Sequence, residues 1–334
     1  MVLALVAPVA VARAAATQDY SEAFEALRQS DLRMATIGER LAVGNAALCD
    51  RLGPGTGLQL HTLDQYDSGT RDAARAHFKF ATAVAIEAIV PGTPADQAGL
   101  KPDDSLVRIG PVDIATGTGR PGTTDRLVAT ELAIADLPPT APIEVDVLRG
   151  GAPVHATIHP LAACRSRFEL VLSNAYDASA DGTMVQVSSR ILDSYPDDQA
   201  AAAIAHEFAH NILRHRERLE ARHVSYGLLE GFGGNVKYFR QTELQADLLS
   251  VYLLENAGYP PEAAVAFWRR FGPSVAGGIL LSRSHPAWRD RMATIEAEIA
   301  RLKAGTTRAD MPPMIAERDR PLDGDWQSLL VHHR

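Results

Sequence analysis

His206-Glu207-Phe208-Ala209-His210 is the stretch whose reading decides the fold of this chain. Residues i and i+4 of a helix share one face, about a turn apart. Two imidazoles so placed can hold one zinc ion, each at about 2.0–2.1 Å. Glu207 falls beside such an ion rather than on it, where its carboxylate can take a proton from an activated water. The flanks predict the helix. Asp197 and Asp198 supply an acidic first turn, Gln199 to Ala205 is alanine-rich, and Ile204, Phe208 and Ile212 form an apolar stripe. A surface helix with two solvated histidines is the competing reading, and the stripe speaks against it. A catalytic zinc takes a third protein ligand and keeps one position open. The candidate is Glu243, in Thr242-Glu243-Leu244-Gln245-Ala246-Asp247. This segment is expected to open a helix that runs to about Ala257, with Gly258 as its stop and Pro260-Pro261 beyond. Asp247 shares a face with Glu243 and can accept the free N–H of a ligand histidine. Ala246, being small, lets the two helices approach.

Composition narrows the alternatives. The chain has 334 residues, 46% hydrophobic and 22% charged, which leaves room for two domains. Lys and Arg number 33 against 41 Asp and Glu, a net charge of −8, and no basic block appears, so nucleic acid is not the expected partner. Two cysteines cannot build a Cys-rich zinc site, so any metal falls to histidine, of which there are 11, and carboxylate. Val2 to Val11 is an apolar run followed by Ala12-Arg13-Ala14-Ala15-Ala16, the pattern of a secretory signal peptide over residues 1–16, although no basic residue precedes the run. The run is shorter than the roughly 20 residues a membrane span needs. Export to the periplasm or the outside, with no membrane span after signal removal, is the expectation.

The rest of the chain divides by pattern. Ser21 to Leu41 has the helical spacing of Phe24, Leu27, Leu32, Ile37 and Leu41. A glycine-rich turn is expected at Gly53, Gly55 and Gly57. Strand-like runs follow at Leu58–Leu63, Val84–Val90, Leu106–Ile109, Ile143–Leu148 and Val154–Ile158, interrupted by helices at Asp72–Phe78 and Thr124–Ala135. Two more strand-like runs, Phe168–Leu172 and Thr183–Val187, precede a helical stretch from Asp197 to Lys303. The tail from Thr306, with Pro312, Pro313 and Pro321, is expected to be loosely ordered, with Trp326, Leu329 and Leu330 available to dock. The fold class is therefore α+β, a β-rich unit followed by a mostly helical one.

H-E-x-x-H followed by E-x-x-A-D resembles the gluzincin metallopeptidases that include the HtpX membrane protease and the CAAX prenyl endopeptidase, peptidase family M48. Asn174-Ala175-Tyr176 and Gly182 to Leu192 resemble the loop and strand before that family's zinc helix. Ser284-His285-Pro286 with Arg291 resembles its H-P…R segment, and His215 matches a histidine often found after the motif. The resemblance spans Phe168 to Leu302. It implies a zincin-type domain with a small edge sheet, in which His206, His210 and Glu243 bind Zn²⁺, Glu207 is the general base and Asp247 supports a ligand histidine. It also puts His285 near the active site as a possible oxyanion stabiliser. Membrane members of the family carry transmembrane helices. Here the stretch between His210 and Glu243 is short and polar, with Gly227, Gly231, Gly233 and Gly234, as in a soluble, exported branch.

Val90 to Asp104 resembles a PDZ domain, with Asp103 standing where that family has glycine. The resemblance makes Thr124–Ala135 the helix beside a peptide groove and Gly55-Thr56-Gly57-Leu58 the nearest carboxylate-binding loop. A degenerate spacer is the competing reading. The expected organisation is 1–16 signal peptide, 17–52 helical segment, 53–162 PDZ-like domain, 163–305 zinc metallopeptidase domain and 306–334 polar tail. Cys49 and Cys164 flank the PDZ-like unit, and chain ends of a domain often lie close together, so a disulfide between them is expected. Together these readings describe a zinc endopeptidase acting on proteins or peptides, whose substrate lies extended along the Thr183–Val187 edge. Asn174, Ala175, Tyr176, Met184 and Gln186 would line that path. The alternative is a non-hydrolytic or latent, chaperone-like binding protein, its zinc site closed by His285 or by the loop from Gly272 to Ser284.

Overall fold

The computed structural model describes residues 19–114, 119–224, 233–275 and 285–331. The expected signal peptide, Gly227 and Gly231, and the 276–284 part of the loop named in the closed-site alternative lie outside the described residues.

α1 (Ser21–Gly44) forms where the apolar spacing places it, and it serves two cores. Near its start, Phe24 packs with Leu63, Tyr66 and Phe78. Further along, Met34, Ile37 and Leu41 are fully buried among the helices of the C-terminal half. Arg33 fixes its direction, donating to Asp197 Oδ1 at 2.5 Å and to the Tyr195 carbonyl at 2.7 Å. Gly38 lets α1 lie against the next sheet, since a Cβ there would sit 2.6 Å from the Phe168 ring.

The β-rich unit contains β1 (Leu52–Gly55), β2 (Leu58–Thr62), α2 (Arg71–His77), β3 (Val84–Ile89), α3 (Pro94–Gln97), β4 (Ser105–Ile109), β5 (Val112–Asp113), α4 (Asp125–Ala135), β6 (Ile143–Arg149), β7 (Ala152–Ile158) and β8 (Leu161–Cys164). Its main sheet is antiparallel in the order β2-β3-β4-β6-β7, with β5 on β4. Period-two burial explains the strands: Ile143, Val145 and Val147 of β6 face the core while Glu144 and Asp146 do not. The glycine-rich turn expected at Gly53–Gly57 is in part a strand. β1 pairs antiparallel with β8, Leu52 opposite Cys164. Backbone pairing needs no side chain, and Gly55 has no room for one, since a Cβ there would meet Val43 Cγ2 at 2.8 Å. Cys49 and Cys164 form the expected disulfide beside this pair, Cα to Cα 5.5 Å. Asp103 has φ +69°, the left-handed region that favours glycine and that Asp tolerates better than most residues. Its carboxylate accepts from Arg28 of α1 at 2.6 Å, so this departure from glycine also ties α1 to the β unit.

The second half comprises β9 (Arg167–Val171), β10 (Ala178–Ala180), β11 (Met184–Ser188), α5 (Ser189–Ser194), α6 (Asp197–Ile212), α7 (His215–Glu220), α8 (Val236–Asn256), α9 (Glu262–Val275) and α10 (Trp288–Lys303). Its sheet has the order β10-β11-β9, β11 being parallel to β9 and antiparallel to β10. α8 starts at Val236, nearly two turns before the expected Thr242, so Glu243 lies inside the helix rather than at its opening. The tail is packed rather than loose. Leu322 is fully buried with Leu219, Val224 and Phe239. Gln241 of α8 donates to Asp323 Oδ1 at 2.8 Å and accepts from the Gly324 amide at 2.8 Å. Met314 and Ile315 against the main helical core and Leu322 beside α8 hold this segment, which a polar composition conceals. Among the described residues, no helix is long and apolar enough to cross a membrane.

The β unit buries an unusual polar cluster. Glu87 of β3 and His61 of β2 are almost wholly inaccessible, with His61 Nδ1 3.2 Å from the Tyr66 hydroxyl and 3.7 Å from Glu87 Oε1. Burial holds Glu87 well above the usual carboxylate range and lowers His61 to about 3. A carboxyl raised on folding contributes stability that is complete below the unfolded value of about 4.3 and is lost as pH rises. Relative to Glu87→Gln, wild-type stability should therefore fall between pH 5 and pH 8; parallel denaturation midpoints at the two pH values would contradict this. Opening the Cys49–Cys164 bridge, which spans 115 residues, should lower stability by up to about 5 kcal/mol in the chain-entropy picture, read as a drop in Tm on adding reductant.

Candidate metal and catalytic centre

α6 runs through the C-terminal core. Pro196 precedes it, Asp197 and Asp198 oppose its N-terminal dipole, and Ala200, Ala201, Ile204, Ala205 and Phe208 are essentially inaccessible. That burial sets the rotation of the helix and turns His206 and His210 toward α8. There Ala246 has no exposed surface, and Glu243 and Asp247 occupy one face. His206 Nε2 lies 3.2 Å from His210 Nε2 and 3.3 Å from Glu243 Oε2, and His210 Nε2 lies 3.5 Å from Glu243 Oε1.

These separations test whether the residues fit a metal. Donors about 2.0–2.1 Å from one tetrahedral ion lie about 3.3 Å from each other. The two nitrogens lie near that spacing from each other, and each lies near it from one oxygen of the Glu243 carboxylate, Oε2 for His206 and Oε1 for His210, as a zinc-type donor set requires. Among the described residues, His206, His210 and Glu243 are the one group of three or more such donors within 4.8 Å of each other.

The outer partners are equally specific. His206 Nδ1 is 3.1 Å from Asp247 Oδ1, the expected support of a ligand histidine. His210 Nδ1 is 2.9 Å from Nδ1 of His215, a residue that Arg214, at φ +52°, folds back under α6. His215 Nε2 in turn lies 3.2 Å from Gln245 Oε1. Arg291, named in the sequence only as part of a motif, is the organising cation. It donates to Asp247 Oδ2 from Nε at 2.6 Å and to Oδ1 from its terminal nitrogen at 2.8 Å. It also lies 3.2 Å from Glu243 Oε2, and its guanidinium sits 4.1 Å from the Trp268 ring centroid.

Electrostatics follow from this packing. Burial opposes charge on His206, but hydrogen bonds to Asp247 and Glu243 outweigh it and raise the imidazole to about 10. Burial lowers His210 to about 3. Burial pushes Glu207 up to about 7, against the pull of the His206 charge. Glu243 is held well below the usual carboxylate range despite its burial, by His285 and Arg291.

A cavity of about 630 Å³ opens onto these residues, with Glu207, Glu243 and His206 in its wall. His285 also lines it, Nε2 3.5 Å from Glu243 Oε2. Of the expected substrate path, Tyr176 lines the cavity, while Asn174 and Ala175 sit on an exposed loop outside it. Met184 and Gln186 cannot offer an edge, because β11 is the central strand, bonded on both sides. The edge facing the cavity is β10, through Ala178. Trp326 and Arg240, stacked at 4.8 Å, also reach the cavity, and nothing in a polar tail signals such a role beyond the tryptophan itself.

Two histidines one helical turn apart and a carboxylate from a facing helix form a donor set for one metal ion, with a buried glutamate beside them. The sequence model of Peptidase family M48 matches residues 226–299 and supports that family and a metallopeptidase. The matched stretch contains Glu243, Asp247, His285 and Arg291 and lies beyond His206–His210. Members of that family are generally zinc-dependent. No curated protein matches the chain.

Losing the carboxylate that orients a metal-bound histidine costs about 10–100-fold in metal affinity. Asp247→Ala should show a loss of that size in chelator competition; unchanged affinity would remove Asp247 from the centre.

Proposed function

We propose that the chain is a zinc-dependent endopeptidase that cleaves protein or peptide chains in the cell envelope, with the β-rich unit recruiting or gating substrate. The observation that carries this reading is the mutual spacing of His206, His210 and Glu243 in the wall of an open cavity that also holds Glu207. His206, His210 and Glu243 would hold the ion. When bound, zinc polarises the scissile carbonyl and acidifies the attacking water.

The chain's own residues do the rest. Glu207 takes the water's proton and delivers it to the leaving amine. Asp247 and Arg291 fix the tautomer and orientation of His206, while His215 does the same for His210. His285 lies on the cavity side of Glu243, where it can donate to a developing oxyanion. An extended substrate pairs with the edge of β10, by strand addition.

The apolar start of the chain and the Cys49–Cys164 bridge both favour an oxidising compartment. β2 ends the order of its sheet and α4 packs against it, which suits a PDZ-like groove. A latent binding protein closed by His285 is the second reading, supported by the 3.5 Å approach of His285 to Glu243. The group of mutually close donors, which stops at three among the described residues, favours the open site.

Wild type should cleave unfolded casein, and Glu207→Gln should lose at least about 100-fold in kcat while retaining its metal. Zinc-loaded wild type with no activity on any unfolded protein would overturn the proposal.

A further inference from the structure

The disulfide reaches further than the base of the β unit. Asp50 and Arg51 form a two-residue span held at both ends by one cysteine: Cys49 is bonded to Cys164, and Leu52 pairs opposite Cys164 across β1 and β8. The Arg165 amide donates to the Arg51 carbonyl at 2.9 Å and closes the frame between them. A span held in this way presents its side chains in one place.

Those side chains grip the corner where α6 turns into α7. Asp50 pairs with Arg214, and Arg51 pairs with Glu217 of α7 at 2.8 Å. From the side of Cys164, Ser166 accepts from the Asn211 side-chain amide at 3.1 Å, and the Gly182 amide donates to Asn211 Oδ1 at 2.7 Å. Asn211 follows His210, and Arg214 precedes His215. The gripped residues are thus the chain neighbours of a candidate metal ligand and of the histidine behind it.

Arg214 stands at φ +52°, a left-handed conformation that costs any residue with a Cβ, so it persists only where its surroundings outweigh that cost. Asp50 on one side and Asp319 of the tail, 3.1 Å from Arg214 Nη1, are the partners that do so. The conformation has a chemical consequence, because it sets His215 Nδ1 2.9 Å from His210 Nδ1. Gln245 Oε1 accepts from Arg218 at 3.0 Å, since an arginine can only donate. His215 Nε2, 3.2 Å from that same oxygen, therefore carries the proton of its buried, neutral ring. His215 Nδ1 is left as an acceptor and takes the N–H of His210 Nδ1, which leaves His210 Nε2 bare toward His206 and Glu243. A corner that relaxed to right-handed backbone would carry His215 away and release that tautomer.

We propose that Asp50 and Arg214 are positioning residues for the metal site, and that through them the Cys49–Cys164 bridge sets how tightly the site holds its ion. This inference rests on the metal-binding part of the peptidase reading and needs nothing of cleavage.

The test is the zinc affinity of the full chain, read by chelator competition at a temperature well below the melting of each variant. Asp50→Ala should lose about ten-fold, the lower end of the loss seen when the outer support of a ligand histidine is removed. C49A/C164A should lose a similar factor, because the span is then free at one end. Arg214→Gly should lose less than about three-fold, since glycine takes the left-handed conformation without partners. For the same reason D50A/R214G should recover most of what Asp50→Ala loses. A merely destabilising substitution cannot produce that recovery, because the second change removes contacts and adds none. The double variant and Asp50→Ala decide the matter if C49A/C164A does not fold.

Unchanged affinity in Asp50→Ala would overturn the proposal. A loss that Arg214→Gly does not recover would mean that Asp50 acts by its charge alone, which also overturns it. Unchanged affinity in folded C49A/C164A would detach the bridge from the site. Wild type that takes up no zinc would overturn the metal reading and this inference with it. Wild type that binds zinc, cleaves nothing and loses affinity in Asp50→Ala would overturn only the peptidase reading and leave the positioning role standing.

Discussion

The centre depends on a close contact between two helices. Donors on α6 and α8 reach 3.2–3.5 Å separations because the facing surfaces are built from small residues, with Ala246 on α8 and a run of alanines on α6. The contact also concentrates charge. Glu243, Asp247 and Glu207 would repel one another in a buried space without a compensating cation. Arg291 supplies it, with a planar fork suited to holding Asp247 by two bonds while it also reaches Glu243. Trp268 covers the other face of that guanidinium, so the arginine is fixed by both chemistry and packing.

From this contact the surrounding architecture acquires a purpose. α1 spans both units, joining them by apolar burial at each end and by Arg28 and Arg33 along its length. The disulfide and the β1–β8 pair close the base of the β unit against the same helix. The tail lies over α8 and brings an indole to the rim of the cavity, so a segment with little hydrophobicity of its own completes the wall of the site.

Much of this was legible in the chain. The H-E-x-x-H spacing and the i,i+4 relation of Glu243 to Asp247 are local properties of helices, and local periodicity survives in sequence. The alternation that produced β3, β6 and β7 is equally local. What was hidden depends on position in three dimensions. Nothing in the run Thr183–Val187 says that strands will flank it on both sides, so it read as an edge when it is central. The resemblance named Arg291 but not its partners: Asp247 stands 44 residues away, and nothing local says that an arginine at a helix start will hold it. β1 escaped notice because glycine and proline weaken a strand signal even where the backbone pairs. The tail escaped because its few anchoring apolar residues, Met314, Ile315 and Leu322, are spread through a polar, proline-containing stretch.

The central claim is that two imidazoles and one carboxylate hold a metal ion and leave a position open to solvent. X-ray absorption spectroscopy of the zinc-loaded chain tests it most directly. The account predicts a shell of nitrogen and oxygen only, with multiple-scattering features of two imidazoles and one light atom contributed by solvent. A third imidazole in that shell, which would be His285 closing the site, or a sulfur ligand, would contradict it.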